Sequence, residues 1–331
     1  MKTLVDKFNA TFGADMGGPI IAFLAVMIIF GLAADNFISQ ATFGSVAFQL
    51  PELGLLTLAM LLPLLTGGIN LSITFVANLA GLSAAWVLQA YGGVDAPAGV
   101  FFLACLAALA TGAAAGALTG LAIAFTRAHP ILVTLSMMIF LRGLGEFLTR
   151  GGDVSGFPSY MAPIGHGSLV GLPIPLLIFI ACVAVWHVLL TRSRLGFGLL
   201  MIGSNMEASR YSGLNTRKIV VLVYTLSGIM CAVAGIIMLA RFNSVRVGHG
   251  ESYLLITVLA AFLGGVNPFG GFGRVLPVFV ALIVLQLLSS GLNLMGANQH
   301  LATALWGVLM IIVMAARALV SNNRIFNRKK A

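Results

Sequence analysis

The stretch Thr191–Lys218, TRSRLGFGLLMIGSNMEASRYSGLNTRK, stands between two long apolar runs and carries Arg192, Arg194, Arg210, Arg217 and Lys218. Its centre, Gly203–Gly213 (GSNMEASRYSG), is too polar and too glycine-punctuated to cross a bilayer. It reads as a docking surface for a cytoplasmic partner, and the apolar runs on either side set the fold.

Those runs dominate the chain. Of 331 residues, 60% are hydrophobic and 8% charged, against roughly half and a quarter in soluble proteins. The class is an all-α polytopic membrane protein. At roughly 20 residues per crossing the length accommodates about ten helices, in a single transmembrane domain over 1–331 with no soluble domain left over. Expected spans lie at about 19–34, 44–66, 71–91, 98–126, 130–149, 169–191, 219–241, 253–265, 275–296 and 299–319. The first is read as a span rather than a cleaved leader, because its polar start is only weakly basic.

Ten crossings return both termini to one face. That face collects Lys2, Lys7, Arg127, the five basic residues of Thr191–Lys218, Arg274, Arg317, Arg324, Arg328, Lys329 and Lys330. Only Arg150, Arg241 and Arg246 fall opposite, with Arg142 inside a span. The positive-inside rule therefore puts both termini and the central stretch in the cytoplasm. The net charge of +9 reports topology, not nucleic-acid binding. Cys105, Cys182 and Cys231 each sit within an apolar run, as small hydrophobes without disulfide or metal-ligand spacing.

Gly112, Gly116 and Gly120 recur every four residues and predict close helix packing. Pro130 suits a first helical position, after an interfacial His129. Two segments break the helical pattern: Leu65–Ser72 (LTGGINLS) and Gly264–Arg274 (GGVNPFGGFGR). The second follows a run of about 13 residues, which rises only about 20 Å and so marks a candidate half-helix or re-entrant segment. Irregular backbone at membrane depth survives where protein buries it or where it lines a wet cavity. Asn70 and Ser72 in the first break and Asn267 and Phe269 in the second are accordingly candidate translocation-pathway residues, with an ordinary interfacial turn as the alternative, and Asn78 and Thr134 of the neighbouring spans are further candidates.

The expected spans hold almost no ionisable side chains, Arg142 and Glu146 being the exceptions. These lie four apart and can pair, about 18 and 24 Å along a helix that starts at Pro130. This favours a structural pair near the outer interface. No phosphate-binding GxxxxGK[ST] motif, catalytic triad or metal-ligand cluster occurs. If ATP drives this protein, another subunit binds it, and an enzyme is not expected.

The motifs resemble those of permease subunits of bacterial ABC importers for monosaccharides, similar to ribose, galactofuranose and autoinducer-2 permeases, within a superfamily that includes branched-chain amino-acid permeases. Gly67–Ser72 (GGINLS) looks like the family's GGIDLS, with Asn70 in place of the usual Asp. Pro130, Thr134, Leu135, Arg142 and Gly143 are similar to its fifth-span pattern. Gly203, Asn205, Ala208, Ser212 and Gly213 resemble its cytoplasmic coupling segment, and Gly264–Gly273 its late glycine-rich loop.

The resemblance implies a ten-helix fold like that of the vitamin B12 importer permease. It also implies ATPase coupling through Gly203, Asn205, Glu207, Ala208, Arg210, Ser212 and Gly213, with no cofactor on this chain and ATP and Mg in a partner. The implied assembly is two permease subunits, identical or not, with cytoplasmic ATPase subunits and a periplasmic solute-binding protein in the inner membrane. The implied cargo is a sugar, polyol or sugar-like solute. The alternatives are an ABC permease for a nucleoside or branched-chain amino acid and, from another class, an ion-coupled secondary transporter.

Overall fold

In the computed structural model, residues 16–126 and 128–328 are described. Lys2, Lys7, Arg127, Lys329 and Lys330 of the charge asymmetry lie outside them. Among the described residues seven helices are long and apolar enough to cross a membrane. They are α2 (Gln40–Leu65), α3 (Ile73–Ala90), α4 (Ala98–Thr126), α5 (Pro130–Thr149), α7 (Ile174–Arg192), α10 (Thr216–Phe242) and α12 (Val275–Leu294). Shorter apolar helices occupy two further expected positions, α1 (Gly17–Ala33) and α11 (Tyr253–Leu263), and the apolar first half of α13 (Gln299–Arg328) occupies the tenth.

The remaining helices are α6 (Ala162–His166), α8 (Arg194–Ser204) and α9 (Met206–Tyr211), so the stretch Thr191–Lys218 is largely helical. The expected span 169–191 starts late. Ser168–Leu169 (β2) and Leu172–Pro173 (β3) first pair as a tight hairpin turning on Gly171, whose φ is +81°, before α7 begins. A second two-stranded ladder joins Val154–Ser155 (β1) to Ser244–Val245 (β4).

Helix α2 is the core of the molecule, and from Leu50 to Leu65 every one of its residues is buried. The small residues of α4 do what their spacing predicts. A Cβ at Gly112 would strike the Gly228 carbonyl, one at Gly116 the Tyr224 carbonyl, and one at Gly120 would come 2.8 Å from the Val221 Cα. Backbones of α4 and α10 therefore touch directly, the packing that association in lipid requires when hydrophobicity supplies no force between helices.

The structure corrects one reading of the spans. Glu52 sits in the middle of α2 and is 1% exposed. Its Oε1 lies 2.8 Å from the Arg241 guanidinium at the end of α10, and the Tyr253 hydroxyl of α11 approaches its other oxygen at 3.5 Å. A buried carboxylate is tolerable only when paired, and its partner lies 189 positions away. The local sequence therefore carries no sign of the pair. Nearby, His249 packs against Phe242 with the rings tilted by 45° and their centroids 4.2 Å apart. Burial, then the Arg246 charge, hold its pKa below the ordinary imidazole range, with Asp153 opposing. It thus tends to stay neutral and adds no cation beside Arg241.

Candidate coupling site and polar turn

Three of the motifs meet. Helix α2 ends in a left-handed cap at Gly67 (φ +83°), where the amides of Gly67 and Gly68 donate to the Leu64 and Pro63 carbonyls, each at 3.0 Å. Glycine adopts that conformation without steric cost. From the loop 264–274, the Gly271 amide donates to the Leu65 carbonyl at 2.9 Å. A Cβ on Gly203, in the last turn of α8, would collide with that same carbonyl and with the Gly271 amide. One on Gly270 would lie 2.9 Å from the Gly67 Cα and 3.0 Å from the Gly203 Cα. Gly67, Gly203 and Gly270–Gly271 form one junction of three backbones with no space for side chains.

From this junction α9 projects outward. Asn205 separates α8 from α9 and caps the latter, its Oδ1 accepting from the Ala208 amide at 2.9 Å. Glu207 in the first turn and Arg210 in the last suit the helix dipole. The Ser212 hydroxyl donates to the Ala208 carbonyl at 2.9 Å, and Gly213 (φ +84°) reverses the chain in open space. Gly203 thus belongs to the close-packed junction, whereas Glu207, Ala208, Arg210, Ser212 and Gly213 belong to the exposed projection. A groove of about 350 Å³ separates α8 from α9, lined by Phe197, Leu200, Met201, Ala208 and Gly271 among others. Exposed Phe197, Met206 and Tyr211 add apolar surface there. The charge-centred reading of the sequence passed over these three, although large apolar side chains in a polar segment are themselves a docking signal.

The other candidate residues divide into groups. Asn70, Ser72 and Thr134 come together in a buried turn. The Asn70 Oδ1 accepts from the Ser72 amide at 3.1 Å and from its hydroxyl at 2.7 Å, while Nδ2 donates to the Ser227 hydroxyl at 3.1 Å. Ser227 in turn donates to the Ala59 carbonyl at 2.7 Å, and Thr134 to the Ile69 carbonyl at 2.9 Å. Asn70 is 3% exposed and Thr134 fully buried.

Asn78 lies further along α3, its Nδ2 buried without a hydrogen-bond partner among the described residues, as is the Thr74 hydroxyl. Asn267 and Phe269 lie in the glycine-rich loop, Asn267 accepting from the Phe269 amide at 3.1 Å, with the Phe269 ring largely exposed. Arg142 and Glu146 do pair, Nε to Oε1 at 3.0 Å. Glu251 joins them, 3.2 Å from the guanidinium, and all three side chains are half exposed.

The polar turn explains why an amide stands at position 70. The Ser227 proton is committed to Ala59, so the neighbouring group must donate. Asn70→Asp would put a buried carboxylate against an acceptor, and losing that donated bond costs about 1–3 kcal/mol. The variant is expected to unfold several degrees earlier in detergent. An unchanged melting temperature would show that Ser227 re-orients without penalty.

The profile of the family described as "Branched-chain amino acid transport system / permease component" matches residues 42–314. The ribose import permease protein of Escherichia coli (strain K12) is 33% identical over 300 residues, 89% of this chain and 91% of that protein. The autoinducer 2 import system permease protein of Yersinia enterocolitica is 30% identical over 274 residues, 81% of this chain and 80% of its own length. Its counterpart from Photorhabdus temperata is 29% identical over 307 residues, 90% of each chain. No solved structure matches the chain. With a family profile spanning most of its length, a membrane-spanning helical core and the family's motifs meeting at one junction, the chain belongs to the permease components of the branched-chain amino acid transport system family.

Proposed function

We propose that this chain is the membrane-spanning permease subunit of an ATP-driven importer that moves a sugar or sugar-like solute into the cytoplasm by alternating access. The observation that carries this reading is the glycine junction, which ties the projecting helix α9 through α8 to the end of the core helix α2 and to the loop before α12. A push on α9 would reach the helices of the pathway with little slack, because backbone meets backbone at Gly203. The identities with ribose and autoinducer 2 permeases favour a sugar-like cargo over a nucleoside or branched-chain amino acid.

In this reading a partner ATPase binds ATP and Mg and docks on α9. A second permease subunit completes the pathway, and a periplasmic protein delivers solute. The chain acts as one permease domain in the inner membrane, with the junction and both termini on the cytoplasmic face. The half-exposed Arg142–Glu146–Glu251 cluster and the saturated Glu52–Arg241 pair suit scaffold roles better than proton relay.

Uptake should therefore need the ATPase and survive collapse of the ion gradients. In proteoliposomes with ATP trapped inside and binding protein plus D-ribose outside, ionophores should leave the initial rate nearly unchanged. Omitting the ATPase should remove it. Gradient-driven accumulation by this chain alone would establish the secondary-transporter alternative.

A further inference from the structure

We infer that a polar cavity between the start of α2 and the end of α12 is an outer subsite that holds a neutral polyhydroxyl solute weakly before it passes inward. The inference rests on the importer reading above and adds a binding site to it.

The cavity, about 200 Å³, is lined by Thr42, Ser45, Gln49, Ser289, Ser290 and Asn293, with Leu294 at its rim. No Asp, Glu, Lys or Arg lines it, so it suits hydroxyl groups rather than ions. Its volume falls below the roughly 300–1,000 Å³ of drug-sized sites, which limits the occupant to a small polyol or monosaccharide.

Its floor is preorganised. Gln286, 7% exposed, donates from Nε2 to the Gln49 Oε1 at 3.0 Å, and the Gln49 Nε2 donates to the Ser45 hydroxyl at 2.8 Å. The opposite wall is unengaged. Helical hydroxyls elsewhere, such as those of Thr111, Thr119, Ser136 and Thr225, bond back to the carbonyl four residues earlier. Ser289, Ser290 and Asn293 make no side-chain hydrogen bond among the described residues. Three free polar groups facing an oriented amide are what recognition of vicinal hydroxyls needs.

Position supports the assignment. Helices α2 and α12 run antiparallel, with Leu65 and the loop before Val275 at the junction end. The cavity is at the opposite end, where solute arrives if α9 faces the cytoplasm. A lipid headgroup bearing glycerol presents the same chemistry, and the test separates the two sources.

Leu294→Cys is placed in a chain with Cys105, Cys182 and Cys231 replaced by Ala, reconstituted with its ATPase in phosphatidylcholine liposomes without binding protein. Labelling by a membrane-impermeant maleimide is then timed with ribitol, D-ribose and D-glucose. Saturation at ten times the half-protecting concentration by at least one of them should slow labelling about tenfold. Adding Ser289→Ala and Ser290→Ala should raise the half-protecting concentration about tenfold, with an unchanged labelling rate in buffer showing that the helix is intact.

No protection by any of the three would overturn the inference, as would slowing only when phosphatidylglycerol replaces phosphatidylcholine. Protection that persists when the full complex shows no ATP-driven uptake of the protecting solute would keep the subsite and defeat the importer reading instead.

Discussion

Ala208→Arg is expected to abolish ATP-driven uptake, by at least about a hundredfold, while leaving the permease in the membrane at its normal level. A hundredfold corresponds to about 2.7 kcal/mol, a modest demand on a change that puts a long cation into the groove between α8 and α9. Ala208 is exposed at the middle of α9 and contributes to the groove wall, so the substitution disturbs no packing inside the chain. Its whole effect falls on whatever docks there, since a buried unpaired charge at an interface is among the most costly changes available. Uptake and solute-stimulated ATP hydrolysis in proteoliposomes measure it. Normal values for both would remove α9 from the coupling path. Gly203→Leu should also stop transport, but by a different route: its side chain would wedge apart Leu65 and Gly271, so it should lower the melting temperature as well.

The second large effect concerns Glu52. Truncating it to Leu strands the Arg241 guanidinium, whose side chain is 17% exposed, without its carboxylate; breaking a fully buried pair costs about 3–5 kcal/mol, and partial exposure of the arginine puts the loss here toward or below the lower end of that range. Replacing both residues, Glu52→Leu with Arg241→Leu, should recover most of that loss, because apolar side chains need no partner there. Thermal unfolding of the single and double variants in detergent gives the coupling between them. A double variant no more stable than Glu52→Leu would mean that the pair is not what makes the single change costly. The pair holds α2, α10 and the start of α11 together, so the single variant should also loosen the short helix that leads into the glycine-rich loop.

Much of this molecule was legible in its residues. The apolar runs located the helices, because a bilayer demands long unbroken hydrophobic segments and leaves little room for other solutions. All ten expected spans contain a helix, and among the described residues seven of these helices are long and apolar enough to cross a membrane. The spacing of Gly112, Gly116 and Gly120 announced a backbone contact, since only small residues permit one. The polar, glycine-bounded segment at Gly203–Gly213 marked a surface unlike the rest.

What sequence could not supply was pairing at a distance. Nothing near Glu52 points to Arg241, and nothing near Gly203 points to Leu65 or Gly271. Those contacts exist because the closing helices bring chain-distant backbones within hydrogen-bond reach. The role of Asn70 depended on the same fact. Its neighbours Gly67–Ser72 show a helix break, but Ser227 and the proton it spends on Ala59 arrive from α10 and α2, and they decide that an amide rather than a carboxylate fits. The outer cavity is the extreme case, because its serines, threonine and amides look like ordinary helix-surface residues in both segments. Local composition therefore determined which segments cross the membrane and where the chain breaks, while tertiary packing alone decided which polar groups are satisfied, which are free, and which glycines touch.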